Sequence, residues 1–209
     1  EVADWDTVSG PNVGRSQEFG ITVVSRDEWE ADLQNRLQAL SSDLDRSRDA
    51  SRQVSAAVSD LASAHEDPAR EAKAQGLSLD AGRISESVQQ VVSALEAIRD
   101  SVEMNGVADA RRDQMLQSAR EALEALVQTK IPEVGRDLRA AGKGEEAAWD
   151  RAQEGQRAVT EELERVSGTL SGAASFGELL KRLERVIEDN QRLIHRSART
   201  GGAAPGEGR

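Results

Sequence analysis

The sequence has 209 residues, with 31% charged, 37% hydrophobic and only 2% aromatic side chains, and its formal net charge is −11. The acidic balance argues against nucleic-acid binding over the whole surface, since phosphate contacts require a basic face, and the absence of cysteine excludes disulfides, thiolate zinc sites and cysteine nucleophiles. No apolar run approaches the roughly 20 residues that span a bilayer, and no signal peptide is recognisable.

The first 24 residues differ in pattern from the rest of the chain. Residues 8–17 are rich in Gly, Pro, Asn and Ser, which is typical of turns. Phe19, Ile21 and Val23 then occupy alternate positions, which predicts a β-strand. Because one short strand is not stable alone, we interpret residues 1–24 as the remnant of a preceding β domain. Its strand would pair with strands outside this sequence, with a second copy, or with the helices.

The first helix is predicted over residues 25–66. Ser25 and Glu28 match a capping box, while Val24 and Trp29 occupy the positions of a hydrophobic staple. Apolar or small residues then recur at a period of 3.5, which is typical of helices that pack along one seam. These are Leu33, Leu37, Leu40, Leu44, Ser47, Ser51, Val54, Val58 and Leu61.

The second helix is predicted over residues 68–104. Asp67 and Pro68 suit its N-cap and first position. Asn105-Gly106 follows its last turn and favours a left-handed C-terminal turn. Its seam keeps the same strict spacing along Leu77, Ala81, Ile84, Val88, Val91, Leu95, Ile98 and Val102.

The third helix is predicted over residues 107–141, and Gly142–Gly144 ends it. Pro132 lies inside this helix and lacks a backbone N–H, so we expect a kink near Thr129. The seam consists of Leu116, Ala119, Leu123, Leu126, Ile131, Val134 and Leu138.

The last helix is predicted over residues 145–197, with residues 171–175 as a candidate break. Ser175 and Glu178 match a second capping box, which would start a new helix after such a break. The seam consists of Trp149, Ala152, Val159, Leu163, Val166 and Leu170, and then of Phe176, Leu179, Leu180, Leu183, Val186, Ile187, Leu193 and Ile194. Residues 198–209 are predicted to be a disordered tail.

The expected fold is all-α: an elongated antiparallel up-and-down helical bundle or coiled coil, with a short N-terminal β-strand remnant. Three short connections place consecutive helices side by side in opposite directions. Scarce aromatic residues and a high charged fraction favour the thin cores of such bundles. The domain organisation is therefore a β segment at 1–24, a bundle at 25–197 and a tail at 198–209.

The sequence contains no pattern typical of a catalytic, cofactor-binding or metal-binding site. There are two histidines, His65 and His195, and neither lies in a metal-binding spacing. Acidic residues fall off the apolar seams and no Glu-x-x-His occurs, which argues against a dimetal site in the bundle. The Gly-Lys-Gly of residues 142–144 follows no strand and precedes no Ser or Thr, so it predicts a helix–helix turn and not a phosphate loop.

Five residues are candidates for contact with a partner: Phe19, Ile21, Val23, Trp29 and Trp149. The first three form one face of the predicted strand. The two tryptophans mark either a ligand pocket or the bundle core, and the core is the better interpretation because both lie at or near a seam.

A resemblance to a known class of proteins rests on the order of three features. They are the turn at Met104 and Asn105, the helix containing Leu123, Leu126, Pro132 and Leu138, and the last helix with Gln191. This order resembles the helical region of large, mostly uncharacterised, membrane-anchored bacterial envelope proteins, over about residues 12–197. Residues 12–29 look like the last strand of an Ig-like domain running into the first helix. The resemblance implies an extracytoplasmic, periplasmic location, with a membrane reached only through an upstream anchor; a cytoplasmic location is the alternative.

The sequence favours a non-catalytic structural or protein-interaction module that acts as a helical scaffold or spacer. The alternative is a ligand-sensing or signalling bundle, which would need a polar pocket near Ser47 and Ser51. An enzyme ranks last, because no activated nucleophile or base is evident, and no cofactor is expected. The expected partners are other proteins or further copies of the chain, since long amphipathic helices leave apolar surface for another helix.

Overall fold

The computed structural model describes residues 2–3, 13–14, 23–65, 67–106 and 109–200. The helices are α1 (Arg26–Ser63), α2 (Arg70–Met104), α3 (Ala110–Ala125), a π-helical turn (Leu126–Lys130), α4 (Ile131–Gly142) and α5 (Ala147–Thr200). Two short strands, β1 (Val2–Ala3) and β2 (Val13–Gly14), pair antiparallel near the N-terminus. The helical bundle predicted from the sequence is confirmed.

The helices form an up-and-down bundle. Helix α1 packs against α2 and α5, and the segment from α3 to α4 packs against the same two helices from the other side. The core lies along the bundle axis and is made mostly of leucine, valine and alanine. Every predicted seam residue of α1 is buried, including the two serines at positions 47 and 51. The period-3.5 pattern therefore identified the inward face correctly.

The predicted strand at residues 19–24 lies mostly outside the described residues. Phe19 and Ile21 belong to the undescribed part of the chain. Val23 and Val24 are described, have no regular secondary structure and precede the cap of α1. The pairing of β1 with β2 brings Val2 opposite Gly14, a contact that the sequence pattern did not predict.

The start of α1 follows the predicted capping box. The Glu28 backbone N–H donates to Ser25 Oγ at 3.2 Å, and the Ser25 backbone N–H donates to Glu28 Oε2 at 2.8 Å. Helix α3 begins with a cap that the sequence did not single out. In this cap Asp109 Oδ1 accepts hydrogen bonds from the backbone N–H groups of Arg111 and Arg112. Both caps satisfy N–H groups that have no partner within the helix.

Helix α2 begins two residues later than predicted. Asp67 accepts the Ala69 backbone N–H at 2.8 Å and Pro68 lies in a turn, so this segment leads into the helix at Arg70 without being part of it. At the other end Gly106 has φ +62°, the left-handed turn expected after Asn105. Gly144 has φ +99° and reverses the chain between α4 and α5.

Where the sequence predicted a kink near Thr129, the structure has a π-helical turn. The Ile131 N–H donates to the Leu126 carbonyl, five residues back, and Pro132 follows at the start of α4. A π turn accommodates one extra residue. The spacing of five between the buried Leu126 and Ile131 needs that extra residue, since a regular helix would turn one of them away from the core.

Helix α5 is continuous through residues 171–175, where the sequence left a break open. The Ser175 hydroxyl donates to the Ser171 carbonyl at 2.9 Å, as expected inside a helix, and does not cap a new one. Ala173 and Ala174 are buried on the inner face of this stretch. The two alanines, which favour helix, therefore carry α5 past the candidate break and on to Thr200.

Candidate interaction surface

An apolar surface lies on the C-terminal half of α5. Leu183, Val186, Ile187 and Leu193 are each between 50% and 60% exposed, and we call these four residues the C-terminal stripe. Ile194 is exposed beside them. Leu79 and Met104 are large apolar residues exposed on α2, but they lie 25 residues apart (79 to 104). The stripe is distinguished by the grouping of its residues along one helix.

Helix α5 positions the stripe by extending past the core. Ala173 and Ala174 are its last buried residues among the side chains that the structure describes. From there the helix continues to Thr200, which at 1.5 Å per residue is a rod of about 40 Å. On the rod Arg192 lies 3.8 Å from Glu188 and 3.7 Å from Asp189. These exposed ion pairs contribute at most a few tenths of a kcal/mol each.

The stripe is a small apolar helix face that is exposed to solvent. Helices in water depend on burial of an apolar face for most of their stability, and the described part of the rod buries none. Covering what remains exposed of each stripe residue would stabilise a complex by roughly 1 kcal/mol per residue. Four such residues favour binding only weakly, because association itself costs about 4–15 kcal/mol.

Trp29, a predicted contact residue, is half-buried against the core at the start of α1. The Arg112 guanidinium lies 5.8 Å from the centre of its ring. Arg112 Nη1 also donates to Glu30 Oε2 at 2.9 Å, and both of these charged side chains are largely buried. This group joins the start of α1 to the start of α3, so the position of Trp29 has a structural explanation.

Trp149, the second predicted tryptophan, is only 2% exposed. The Arg70 guanidinium stacks on its ring at 4.7 Å and donates to Glu146 Oε1 at 2.6 Å. Arg70 also donates to the carbonyls of Leu61 and Ala62 at the end of α1. The structure thus places Trp149 in the core beneath a group that joins α1, α2 and α5.

Of the three predicted strand residues, Val23 alone lies in the described part of the chain. Val23 is 92% exposed. Phe19 and Ile21 lie outside the described residues. The stripe was visible in the sequence as part of the last seam, but that pattern alone does not distinguish buried from exposed helix faces.

Polar side chains inside the bundle join α1 to α5. Ser41 Oγ lies 2.9 Å from Ser171 Oγ, and Ser167 donates to Asp45 at 2.8 Å. The buried Gln156 donates to both the hydroxyl and the carbonyl of Ser51. Sequence reasoning missed Gln156, although it occupies the seam position between Ala152 and Val159. These bonds fix the register of the two helices, since any axial shift would leave buried polar groups unsatisfied.

A groove of about 470 Å³ lies between α1 and α2. Of the two predicted serines, Ser47 lines this groove. Its hydroxyl lies 2.9 Å from that of Ser87 on α2. Arg46 and Arg83 line its edge, and each is paired with an acidic residue of its own helix, Asp43 and Asp80. The groove is open to solvent, with apolar walls contributed by Val54, Leu77 and Ile84.

The described residues offer no metal site, because no three His, Asp or Glu side chains among them are grouped as ligands. His65 lies 3.7 Å from Glu146 at one end of the bundle and is largely exposed. None of the described helices is both long enough and apolar enough to cross a bilayer.

Comparison with known proteins gives no family: no protein-family model matches the chain, and no curated protein or solved structure is significantly similar to it. The resemblance to bacterial envelope proteins therefore stays a prediction from the sequence.

Proposed function

We propose that this chain is a non-catalytic protein-interaction module, a helical scaffold or spacer that presents the C-terminal stripe of α5 to another protein chain. The observation that carries the proposal is the exposure of Leu183, Val186, Ile187 and Leu193 on one helix. Solvent-exposed apolar residues grouped in this way are typical of contact surfaces.

The bundle supports this role as a rigid base. Its core is continuous along four helical segments, and its polar bonds between α1 and α5 hold the register of the helix that bears the stripe. Because α5 is one helix from Ala147 to Thr200, the direction of the rod is set by the packing of its first half.

Photo-crosslinking tests the proposal in the cell that produces the protein. A photoreactive residue replaces Ile187, on the stripe, and in a matched variant Arg185, an exposed residue away from it. We expect protein adducts from position 187, to a copy of the chain or to another protein, and few from position 185. Equal yields at the two positions, or no adducts at all, would contradict the proposal.

The location in a bacterial envelope is a further part of the proposal, and it is supported by the sequence resemblance alone. Protease added to intact cells, and to cells with a permeabilised outer membrane, tests it. Digestion only after permeabilisation supports a periplasmic location. Protection until the inner membrane is lysed would place the protein in the cytoplasm.

A ligand-sensing bundle is the second candidate, and the groove between α1 and α2 favours it. Its volume of about 470 Å³ lies in the range of small-molecule sites, and Ser47 and Ser87 offer hydroxyls inside it. A thermal-shift screen against small metabolites tests this candidate. Stabilisation by one compound class that is lost in Ser87→Leu, and kept in Leu183→Ser on the rod, would favour sensing over a purely structural role.

A further inference from the structure

We infer that the groove between α1 and α2 binds a medium-chain aliphatic carboxylate, whose carboxylate lies at Ser47 and Ser87 and whose apolar chain runs toward Leu77. The inference goes beyond the scaffold role. It rests on the ligand-sensing candidate, for which it names the class of ligand. Its basis is the shape of the groove, the difference between its two ends and the charges along its rim.

The groove is long and narrow. Ser47 Oγ lies 2.9 Å from Ser87 Oγ of the antiparallel α2, and counting along both helices from that contact places Ala57 level with Leu77. These two levels are ten residues apart (47 to 57), which is about 15 Å of helix. A volume of about 470 Å³ over that length corresponds to a channel about 6 Å across. An extended alkyl chain fits such a channel, whereas a partner helix, which is about 10–12 Å wide, does not.

The walls of the groove are aliphatic. Ala50 and Ala57 lie on α1 at the edge of the core, where longer side chains would cover it. Val54 and Ile84 form the buried floor, and Leu77 lies at the far end. None of the described side chains that line the groove is aromatic. An alkyl chain would therefore bury apolar surface along its whole length, without the aromatic faces that select a planar ligand.

The opposite end of the groove offers a hydrogen-bond donor. Ser47 Oγ donates to the Asp43 carbonyl at 3.1 Å. Because a serine hydroxyl has one proton, Ser87 is then the donor in the pair of hydroxyls. Ser87 is half-buried and lines the groove, so its hydroxyl can rotate to donate to a ligand carboxylate. A hydrogen bond to a charged acceptor is stronger than the bond between two hydroxyls that it replaces.

The charges along the rim favour an anionic ligand. Arg46, Asp80 and Arg83 line the groove, so its local charge is positive on a chain whose net charge is −11. Arg83 is paired with Asp80 at 2.7 Å, whereas Arg46 adjoins Ser47 at the polar end. Arg46 is paired with Asp43 through Nη2. Since a guanidinium carries five N–H donors, Arg46 can bind a ligand carboxylate while it keeps this pair.

Calorimetric titration with saturated carboxylates of increasing length tests the inference, at concentrations below those at which they form micelles. We expect the dissociation constant to fall about tenfold for every two CH₂ groups from hexanoate to decanoate. It should level off at tetradecanoate, whose chain is longer than the groove. Decan-1-ol has the same chain without the charge and should bind at least about fivefold more weakly than decanoate. No binding of decanoate at about 1 mM, or equal binding of the alcohol, would overturn the inference.

Matched variants locate the bound decanoate. Ala57→Leu fills the apolar end and should raise the dissociation constant at least about tenfold, whereas Ala56→Leu, at an exposed position outside the groove, should keep it within about twofold. Arg46→Gln should weaken decanoate about fivefold and leave decan-1-ol unchanged. Arg36→Gln, at an exposed arginine of the same helix outside the groove, should change neither. Equal effects within either pair of variants would overturn the inference.

The C-terminal stripe is the other apolar surface on which decanoate could bind. Leu183→Ser removes apolar surface there and should leave the dissociation constant unchanged; loss of binding in this variant would place decanoate on the rod and overturn the inference. If decanoate does not bind but another compound class stabilises the chain and loses its effect in Ser87→Leu, the sensing candidate survives and only the ligand class is wrong. If no compound does so, both are wrong. The scaffold role has a separate test in the crosslinking from position 187, and circular dichroism confirms that each variant is folded.

Discussion

The two halves of α5 carry the same kind of apolar repeat and have opposite surroundings. Between Trp149 and Ala174 the repeat is buried against α1, α3 and α4. Between Leu183 and Ile194 it is exposed to solvent. The sequence spacing is three or four residues in both halves. Periodicity therefore reports that a helix has an apolar face, but it does not report whether this chain or another one covers that face.

A second difference lies in the polar residues of the two halves. In the bundle half, Gln156 and Ser167 are buried and bonded to α1. In the rod, Asp189 and Arg192 meet only within the helix among the contacts described. Buried polar bonds fix one arrangement, because breaking them leaves groups without water or partners. The bundle half of α5 is therefore held in one arrangement against its neighbouring helices, whereas the described apolar side chains of the rod are exposed and available for contact with a partner.

The sharpest test of this contrast compares the same substitution in both halves. Leu163→Ala removes a fully buried side chain and leaves a cavity, so we expect the free energy of unfolding to fall by about 3 kcal/mol. Leu183→Ala removes a side chain that is 58% exposed and should cost under about 0.5 kcal/mol in a monomer. Urea unfolding at low protein concentration measures both values. Similar losses for the two variants would contradict the division of α5 into a core half and a rod.

Ion pairs offer a similar comparison with a smaller effect. Arg112→Ala leaves Glu30 largely buried without the 2.9 Å contact and removes the cation over Trp29, so we expect a loss of about 2 kcal/mol. Arg192→Ala breaks exposed contacts on the rod and should cost at most about 0.5 kcal/mol. Thermal unfolding of both variants measures the difference. A neutral Arg112→Ala would show that the buried pair does not hold α1 to α3.

Two glycines of α5, Gly155 and Gly168, differ in the space that a Cβ atom would find. A Cβ at Gly155 would lie 2.8 Å from Val134 Cγ2 of α4, whereas at Gly168 it would meet nothing within 4 Å. Gly168→Ala should stabilise the helix by about 0.5–1 kcal/mol. Gly155→Ala gains the same helix propensity but forces α4 and α5 apart, and we expect a net loss of about 1 kcal/mol. Opposite signs in urea unfolding are the expected result, and a stabilising Gly155→Ala would mean that the two helices can separate at little cost.

The sequence predicted the inward faces well because burial of one stripe per helix is a local pattern. It predicted a kink near Thr129 from Pro132, where the structure has a π turn, and the spacing of five between Leu126 and Ile131 already contained the extra residue of that turn. It was less informative at Ser175, whose capping-box pattern is overridden by continuing helix through Ala173 and Ala174. A serine caps a helix only where the backbone before it is not helical. The residues before Ser175 are helical, so Ser175 does not act as a cap.

The candidate site was harder to predict from the sequence. The stripe belongs to the same seam as Trp149, and only the packing of α1 beside α5 shows where burial ends. The buried pair of Glu30 and Arg112 joins residues far apart in sequence, so no short-range spacing reveals it. Trp149 illustrates the reverse case, since an aromatic residue that is prominent in the sequence lies inside the core.

Acid titration gives the smallest expected effect and tests the bundle end of α5. The Arg70 guanidinium, by hydrogen bonding, lowers the pKa of Glu146 below its ordinary value of 4.5. A carboxyl whose pKa is lower in the folded state stabilises the fold above its unfolded pKa, and this contribution is lost as the pH falls through the folded pKa. We therefore expect the melting temperature of the original chain to fall as the pH drops below about 4.5. At pH 7 the Glu146→Gln variant should melt at a lower temperature than the original chain. On acidification its melting temperature should fall less. Glu188→Gln, on the exposed rod, should keep the full fall, because the rod does not contribute to unfolding of the bundle. An unchanged acid profile in Glu146→Gln would mean that the contact of Arg70 with Trp149 and the α1 carbonyls holds this end of the bundle without the carboxylate.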